Sequence, residues 1–354
     1  MSMHPYKAQP DKAFWSRAIS TRYEPTSLVS FPEPLIRLGD KVMSAGSCFA
    51  SNLVPYLEQA GFTYLRTEPR HPLFVGLDDN LGYRNFTAAY GNIYTARQLR
   101  QLLERSLGIF HPSEDRWHWD GRVIDPFRPG LRYPAHNDEE FDLLTEQHLR
   151  AVRSAFETAN VLVFTLGLTE AWISTLDGAV FPACPGTVGG AFDPGRHTFR
   201  NFTVDEVRQD LLDFLRTARK MNPALRVILT VSPVPLVATA TEDHVLLAST
   251  YSKAVLRAAA GEVASREEGV TYFPAFEIVT GPQAPSTSFE ADRRNVSRAA
   301  VSTVMRVLLA HCDGRKLPAN PASGHASATA TAPSRADISE RLAQAECEEA
   351  LADR

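Results

Sequence analysis

Short apolar runs alternate with segments of helical periodicity along most of this chain, and this alternation constrains the fold more than any other feature of the sequence. Continuous runs rich in Val, Ile, Leu and Phe are typical of strands that are covered on both faces. They occupy residues 41–45, 62–65, 161–166, 226–231 and 270–273. Such strands, when helices alternate with them, form a parallel sheet. The sequence therefore predicts an α/β fold with an open, doubly wound, mainly parallel five-stranded sheet and helices on both faces.

Helical patterns fill most of the intervals between the predicted strands. Apolar residues recur three or four positions apart, as on the buried stripe of an amphipathic helix. The pattern covers residues 50–59, 95–107 and 140–158, and it returns after Thr203 and in two later segments. We expect these helices and strands to form one main domain over residues 1–315.

Two stretches of the domain depart from this pattern. Residues 109–139 are rich in Trp, Pro, His and Asp, and residues 181–202 form a long connection without periodicity. Long connections inside a compact domain are usually functional or disordered. The aromatic residues Phe192, Phe199 and Phe202 favour an ordered, packed loop in the second stretch. We therefore predict two loop insertions.

The composition changes after the main domain. Residues 316–335 are rich in Ala, Ser, Thr and Pro, which is typical of a disordered linker. Within residues 336–354, Ile338, Leu342 and Leu351 can line one face of a short C-terminal helix. Whether that helix docks on the domain or on a partner is left open, as is the oligomeric state.

The charge and the cysteines exclude several classes of protein. The chain has 37 Lys and Arg against 41 Asp and Glu, a formal net charge of −4, and no basic cluster. We therefore expect neither nucleic acid nor a membrane as a partner. No apolar run reaches the roughly 18 residues of a membrane span, and the N-terminus has no signal-like segment. The four cysteines are dispersed and form no C-x-x-C pair, which predicts a cytoplasmic protein without a zinc site or a disulfide framework.

Reactive side chains follow the predicted strands where the strands end. Gly46, Ser47 and Cys48 follow the first strand, and Thr169 and Glu170 follow the third. Ligands of open parallel sheets bind beyond the carboxyl ends of the strands. The sequence therefore predicts that a thiol, hydroxyls and a carboxylate meet at this edge.

Cys48 is the sharpest candidate among these residues. Gly46 permits a tight turn that would place Cys48 at a helix N-terminus. There the helix dipole and the backbone N–H groups favour the thiolate, and the same N–H groups could hold a developing oxyanion. A buried structural cysteine is the alternative interpretation.

The residues around Cys48 carry a recognisable signature. Residues 46–50 read Gly-Ser-Cys-Phe-Ala, and supporting blocks lie at residues 90–94, 165–172 and 229–236. In these blocks the chain resembles the GSCFA family, over about residues 5–310. That family resembles the SGNH hydrolases, which are esterases and acyltransferases with a flavodoxin-like sheet.

The resemblance implies a role for each matching residue. SGNH enzymes begin with Gly-Asp-Ser, so Cys48 matches the nucleophile and Ser47 stands in reserve beside it. Gly91 matches the oxyanion-hole glycine, with Asn92 next to it. An ordinary turn is the alternative for Gly91 and Asn92.

The third block matches residues 167–170. It would place Thr169 where SGNH enzymes have an asparagine donor, because a hydroxyl can also donate a hydrogen bond. Glu170 follows it, and the alternative role for Glu170 is that of a carboxylate at a helix N-terminus.

The last block, Asp-x-x-His, lacks its histidine. Asp292 is present, but Asn295 occupies the histidine's place, and a neutral amide cannot accept the proton of a nucleophile. His197, in the long connection after the third strand, is the first candidate for a replacement base. His136 and His71 are the others, whereas His148 lies on an apolar stripe and is expected in the core.

The leading hypothesis from sequence is an acyl enzyme of the SGNH type. Cys48 would attack an ester or thioester of a small molecule or carbohydrate, and water or an acceptor would complete the reaction. We expect no metal and no cofactor, and acyl-CoA is kept open as a donor substrate. The alternative is a non-catalytic binding or accessory module on a scaffold that has lost its histidine.

Overall fold

The strands and helices follow the predicted alternation. The computed structural model describes residues 4–69, 83, 86–128, 131, 133–187 and 189–313, without the side chains of Cys48, Phe49 and Trp119. Its strands are β1 (Lys41–Gly46), β2 (Thr63–Tyr64), β3 (Trp117–Trp119), β4 (Arg122–Ile124), β5 (Val161–Leu166), β6 (Glu170–Ser174), β7 (Val180–Phe181), β8 (His197–Asn201), β9 (Arg226–Val231) and β10 (Val270–Tyr272). Its α-helices are α1 (Cys48–Ser51), α2 (Leu53–Gln59), α3 (Ala96–Ser106), α4 (Asp138–Thr158), α5 (Val204–Met221), α6 (Val245–Arg266), α7 (Ala275–Thr280) and α8 (Arg298–Ala310). The predicted linker (316–335) and C-terminal helix (336–354) lie outside the described residues.

The five predicted strands form one parallel sheet. Its order is β10-β9-β5-β1-β2, and every neighbouring pair is parallel. The predicted fold class is therefore confirmed, and each predicted strand agrees with the structure to within one residue at either end. All residues of the central strand β5 are buried, as the continuous apolar run requires.

Helices cover the sheet on both faces and divide the core into two apolar layers. One layer contains buried side chains of α3, α4, α5 and α6, and the other contains those of α2, α7 and α8. Side-chain caps fix where two of these helices begin. Thr95 and Gln98 form a capping box at the start of α3, and Thr203 and Glu206 form another at the start of α5. Such boxes satisfy N–H groups that the first helical turn leaves without partners.

The two predicted insertions contain more regular structure than the sequence indicates. Residues 109–139 include the antiparallel hairpin of β3 and β4. Residues 181–202 include β8, which pairs with β6 in a small antiparallel sheet of order β7-β6-β8. β8 was not predicted because it is short and largely polar. Its ring contact between Phe199 and Trp172 fits the packed state expected of this stretch.

His148 lies in the core, as its place on the apolar stripe predicts. It is completely buried, and its Nδ1 atom lies 2.7 Å from Glu68 Oε2. Arg128 and the backbone N–H of Ala89 also contact the Glu68 carboxylate. Nε2 of His148 has no hydrogen-bond partner among the described residues. Burial lowers the pKa of His148 below its ordinary 6.5 by more than Glu68 raises it.

This buried histidine makes stability depend on pH. Below about pH 6.5, His148 is protonated in the unfolded chain but stays neutral in the folded chain, because its pKa is lower there. The free energy of unfolding therefore falls as the pH falls. In His148→Gln this contribution is absent, because an amide does not titrate. We expect the wild type to lose up to about 1.4 kcal/mol per pH unit relative to His148→Gln below that pH. Urea unfolding of both proteins at several pH values measures this, and a constant difference would show that His148 does not titrate this way.

No helix in the described part of the chain is both long enough and apolar enough to cross a membrane.

Candidate functional site

The turn after β1 can be made only by glycine. Gly46 has a φ of 145°, and a Cβ atom added there would lie 2.5 Å from the carbonyl oxygen of Thr165 on the neighbouring strand. Ser47 follows in extended conformation and occupies the N-cap position of α1. Cys48 is thus the first residue of α1, and its backbone lies at the carboxyl edge of the sheet. Asn52 interrupts that helix, so the single helix predicted for residues 50–59 is two short ones.

A short backbone segment lies across the ends of β1 and β5. The N–H of Ile93 donates to the carbonyl of Gly46 at 2.8 Å, and the carbonyl of Tyr94 accepts from the N–H of Gly167 at 2.9 Å. Gly91 begins the segment with a φ of 67°, in the left-handed region that favours glycine. The structure therefore brings Gly91 and Asn92 to the same edge as Ser47.

A small pocket opens at this edge, between the ends of β1, β5 and β9. It encloses about 230 Å³ of space that is open to solvent, and its lining residues are Ser47, Tyr94, Gly167, Leu168, Ser232, Val234, Pro235 and Leu236. The space between these residues is narrow, and the pocket therefore suits a small group.

Ser47 is the polar side chain that stands out in this pocket. It is only 3% exposed, and within the described part of the chain its hydroxyl has no hydrogen-bond partner. Buried hydroxyl groups in native proteins are almost always paired. The Ser47 hydroxyl is therefore available to a polar atom that enters the pocket.

One face of α6 holds the loops that line the pocket. The hydroxyls of Ser252 and Ser249 accept from the N–H groups of Thr169 and Leu236, each at 3.0 Å. Lys253, which is 5% exposed, donates from Nζ to the carbonyl of Gly167 at 2.6 Å. Sequence analysis missed Lys253. Its signal is its place four residues after Ser249, on the face of α6 that packs against the sheet.

Thr169 and Glu170 do not line the pocket, and their side chains form hydrogen bonds with neighbouring segments. The hydroxyl of Thr169 donates to Asn201 Oδ1 at 2.7 Å, and the residue is fully buried. The carboxylate of Glu170 accepts from the hydroxyl of Thr239 at 2.6 Å and from the N–H of Ala240 at 3.1 Å. The donor expected of Thr169 is thus engaged elsewhere, and Glu170 fixes the loop before α6.

His197 also lies away from this pocket. It is part of β8, four positions from Asn201, which is about 13 Å along a strand. Its Nδ1 accepts from the N–H of Asp193 at 3.1 Å, and its Nε2 lies 3.1 Å from Glu114 Oε2. Both ring nitrogens are therefore engaged within the small antiparallel sheet and its neighbouring loop, and neither is directed to the pocket beside Ser47. His136 is held by Glu140 at 2.8 Å, and His71 lies outside the described residues.

Asp292 and Asn295, the residues at the position of the last block, are joined by hydrogen bonds. The amide Nδ2 of Asn295 donates to Asp292 Oδ2 at 2.6 Å, and the other carboxylate oxygen accepts from the N–H groups of Arg294 and Asn295. Burial raises the pKa of Asp292, but these hydrogen bonds outweigh it and hold the pKa below its ordinary value. Neither Asp292 nor Asn295 lines the pocket beside Ser47.

Two other cysteines provide a contrast with Cys48, whose side chain is not described. Burial raises the pKa of Cys184 to about 11 and that of Cys312 to about 12. Both are therefore thiols at neutral pH. Among the described residues, no group of three or more His, Cys, Asp or Glu is placed to hold a metal ion.

Comparison with known proteins identifies a family, and solved structures also match the chain. The model of the GSCFA family matches residues 41–308. No curated protein matches the sequence. A solved structure described as a platelet activating factor from Streptococcus pneumonia shares 14% identity over 47% of this chain, with a TM-score of 0.28. The match spans 63% of the length of that protein.

Proposed function

The chain belongs to the GSCFA family, and on that premise we propose that it is an ester or thioester hydrolase or an acyltransferase that works through a covalent intermediate on Cys48. The observation that carries the proposal is the pocket at the carboxyl edge of the sheet. Ser47 lines this pocket, its hydroxyl has no hydrogen-bond partner among the described residues, and Cys48 is the next residue. A helix N-terminus beside a pocket is a suitable place for a nucleophile and for the oxyanion that it generates.

The proposed reaction has two halves. The thiolate of Cys48 attacks the carbonyl carbon, a C–S bond forms, the C–O or C–S bond to the leaving group breaks, and the leaving alkoxide or thiolate takes a proton from water. Water, or an acceptor hydroxyl or amine, then attacks the thioester and gives its proton to the solvent, and the thiolate of Cys48 leaves. The N–H groups of Cys48 and Gly91 and the hydroxyl of Ser47 are the proposed donors to the oxyanion in both halves. Thr169 is not among them, because its hydroxyl is committed to Asn201.

In this proposal the positive charge of Lys253, rather than a histidine base, promotes loss of the proton from Cys48. Lys253 places its ammonium group on the carbonyl of Gly167, a residue that lines the pocket. A nearby positive charge favours a thiolate over a thiol. Cys48 would then need no base to lose its proton, and a hydroxyl group in its place would gain much less from the same charge.

The size of the pocket bears on the substrate. The space that its lining residues leave beside Ser47 is narrow. We propose a short acyl group, carried by a small-molecule or carbohydrate ester, and keep acyl-CoA as a donor to test. The alternative function, a non-catalytic binding or accessory module, is favoured by Asn295, which cannot act as the base.

Selective alkylation of Cys48 tests this proposal. With iodoacetamide near neutral pH, we expect Cys48 to react much faster than Cys184 and Cys312. The pKa values of those two residues are about 11 and about 12. At pH 7 the thiolate is therefore at most about one in 10,000 of either side chain. Peptide mass spectrometry of the labelled sites measures the three rates. Equal slow labelling at all three would favour the non-catalytic alternative.

Substitution of Lys253 separates its charge from its structural contact. In Lys253→Met, we expect alkylation of Cys48 near neutral pH to slow by about 10-fold, the effect of one pKa unit on the thiolate fraction. The rate should recover at high pH, and Lys253→Arg should retain most of it. A purely structural role would lower the rate equally at every pH, and that outcome would remove Lys253 from the proposed mechanism.

A further inference from the structure

A second pocket lies between α3 and the inserted residues that follow it. About 340 Å³ of space, part of it open solvent, lies within it, and its lining includes Arg105, Asn92, Gln101, Leu102, Phe127 and Val180. The mixture of apolar walls with a few polar groups is typical of small-ligand pockets. No step of the proposed acyl chemistry uses it.

Arg105 is the unusual residue of this pocket. It is 6% exposed, yet its guanidinium makes no side-chain hydrogen bond and no ion pair with any part of the chain that the structure describes. Its ring contact is with Phe127, whose centroid lies 4.1 Å from Arg105 Cζ. The other strongly buried arginine nearby, Arg128, pairs with Asp125 at 2.7 Å and lies 3.5 Å from Glu68.

The acidic groups around Arg105 are committed to other partners. Asp125 accepts from Arg128 and from the N–H of Phe127 at 2.9 Å. Asp115 pairs with Arg116 at 2.9 Å. Burial is the main influence on Arg105 and lowers its pKa, while Asp125 raises it less. Arg105 therefore carries its charge in a buried place, and no acidic group of the described residues is paired with it directly.

Gln101, a polar neighbour of Arg105, does not replace that counter-ion. Gln101 donates from Nε2 to the carbonyl of Gly178 at 2.8 Å and accepts from the N–H of Val180 at 2.9 Å. Its amide is thus satisfied and fixes the wall of the pocket. A buried guanidinium is costly unless an anion pairs with it, and its fork of N–H donors matches the two oxygens of a carboxylate or phosphate group.

We propose that this pocket binds a small organic anion. The carboxylate or phosphate group lies on the guanidinium of Arg105, and the apolar part of the ligand packs against Phe127, Leu102 and Val180. The inference goes beyond the proposed function, because it requires no nucleophile and no reaction. Its failure would leave the chemistry proposed for Cys48 untouched.

Calorimetric titration with four probes tests the proposal. Phenylacetate and phenyl phosphate carry the anionic group with an apolar ring, phenylacetamide keeps the ring without the charge, and inorganic phosphate keeps the charge without the ring. We expect at least one of the two ring-bearing anions to bind, and to bind more tightly than phenylacetamide and inorganic phosphate. The stronger of the two identifies the group as a carboxylate or a phosphate.

Three variants give the test its specificity. Arg105→Met should weaken binding of the better probe by about 10- to 100-fold, the range for charge-assisted hydrogen bonds. Arg105→Lys keeps a charge but not the fork, and should weaken it less. Arg153→Met is the control, because Arg153 is exposed and its ion pair among the described residues is with Glu157 in the same helix; binding should not change.

Thermal unfolding distinguishes a binding role from a structural one. Without ligand, Arg105→Met should unfold at the same temperature as the wild type or higher, because it removes a buried charge that has no ion-pair partner among the described residues. The better probe should raise the unfolding temperature of the wild type and not that of the variant. The proposal is overturned if no anionic probe binds the wild type at millimolar concentration, or if Arg105→Met and Arg105→Lys both bind as tightly as the wild type.

Discussion

The Cys48→Ala variant is expected to form no covalent acyl adduct and to lose at least about 10³-fold of the rate of ester or thioester cleavage, since removal of a nucleophile costs this much or more. Alanine lacks the atom that would form the C–S bond, whereas the fold loses only one small side chain. Cleavage rates with a panel of activated esters and acyl thioesters measure the loss.

Two matched variants locate the effect at Cys48. Cys184→Ala removes a thiol that burial keeps protonated, with a pKa of about 11, and should cleave the same substrates at the wild-type rate. Ser47→Ala should slow cleavage through a lost oxyanion donor, by about 10²- to 10³-fold, but should still form the adduct. If Ser47→Ala abolished the adduct and Cys48→Ala did not, Ser47 would be the nucleophile.

The Gly46→Ala variant is expected to be the most destabilising single-methyl change at the site. The new Cβ would lie 2.5 Å from the carbonyl oxygen of Thr165 and 2.7 Å from its Cβ, and the φ of 145° is one that alanine avoids. Backbone strain of about 1–3 kcal/mol and overpacking of similar size predict a loss of roughly 3–5 kcal/mol. Denaturant unfolding measures it, and any folded fraction should show reduced alkylation of Cys48, because the turn that positions it must shift.

Gly39→Ala separates strain from steric conflict. Gly39 also has a left-handed φ, of 90°, but a Cβ there would meet no atom within 4 Å. This variant should lose only about 1–2 kcal/mol, the cost of the conformation alone. A Gly46→Ala protein as stable as Gly39→Ala would mean that β1 and β5 are not held as closely as the structure has them.

The sheet was predictable because its strands are buried on both faces. β5 and β9 have the predicted bounds to the residue, since a continuous apolar run leaves few alternatives for a strand of that length. β8 was missed for the opposite reason. It is an edge-like strand with alternating exposure, and its polar residues, His197 among them, look like those of a loop.

The candidate site was predictable only where the backbone itself defines it. The turn at Gly46 and the segment from Gly91 to Tyr94 lie together because their chemistry is local: a glycine turn and main-chain hydrogen bonds. The roles of Thr169, Glu170 and His197 depended on where side chains point, which a motif does not specify. Each of the three is engaged by a partner distant in sequence or in another loop.

The position of Lys253 was also not predictable from sequence. It lies in a long helix far along the chain, and its contact with Gly167 depends on how that helix crosses the sheet. Periodicity places Lys253 on the buried face of α6, but it does not indicate which loop the ammonium group reaches. A lysine on the apolar face of a helix that packs against a parallel sheet indicates a buried polar contact, because lysine is rarely buried without a partner.

The most direct measurement is the identification of the acylated atom in the wild-type protein. After brief incubation with an activated short-chain ester or an acyl thioester, acid quenching and digestion, tandem mass spectrometry locates the acyl group on the peptide that contains Ser47 and Cys48. The account predicts a single acyl group on the sulfur of Cys48, released by hydroxylamine at neutral pH as thioesters are. An acyl group on Ser47, or no acyl group with any member of the panel, would contradict it.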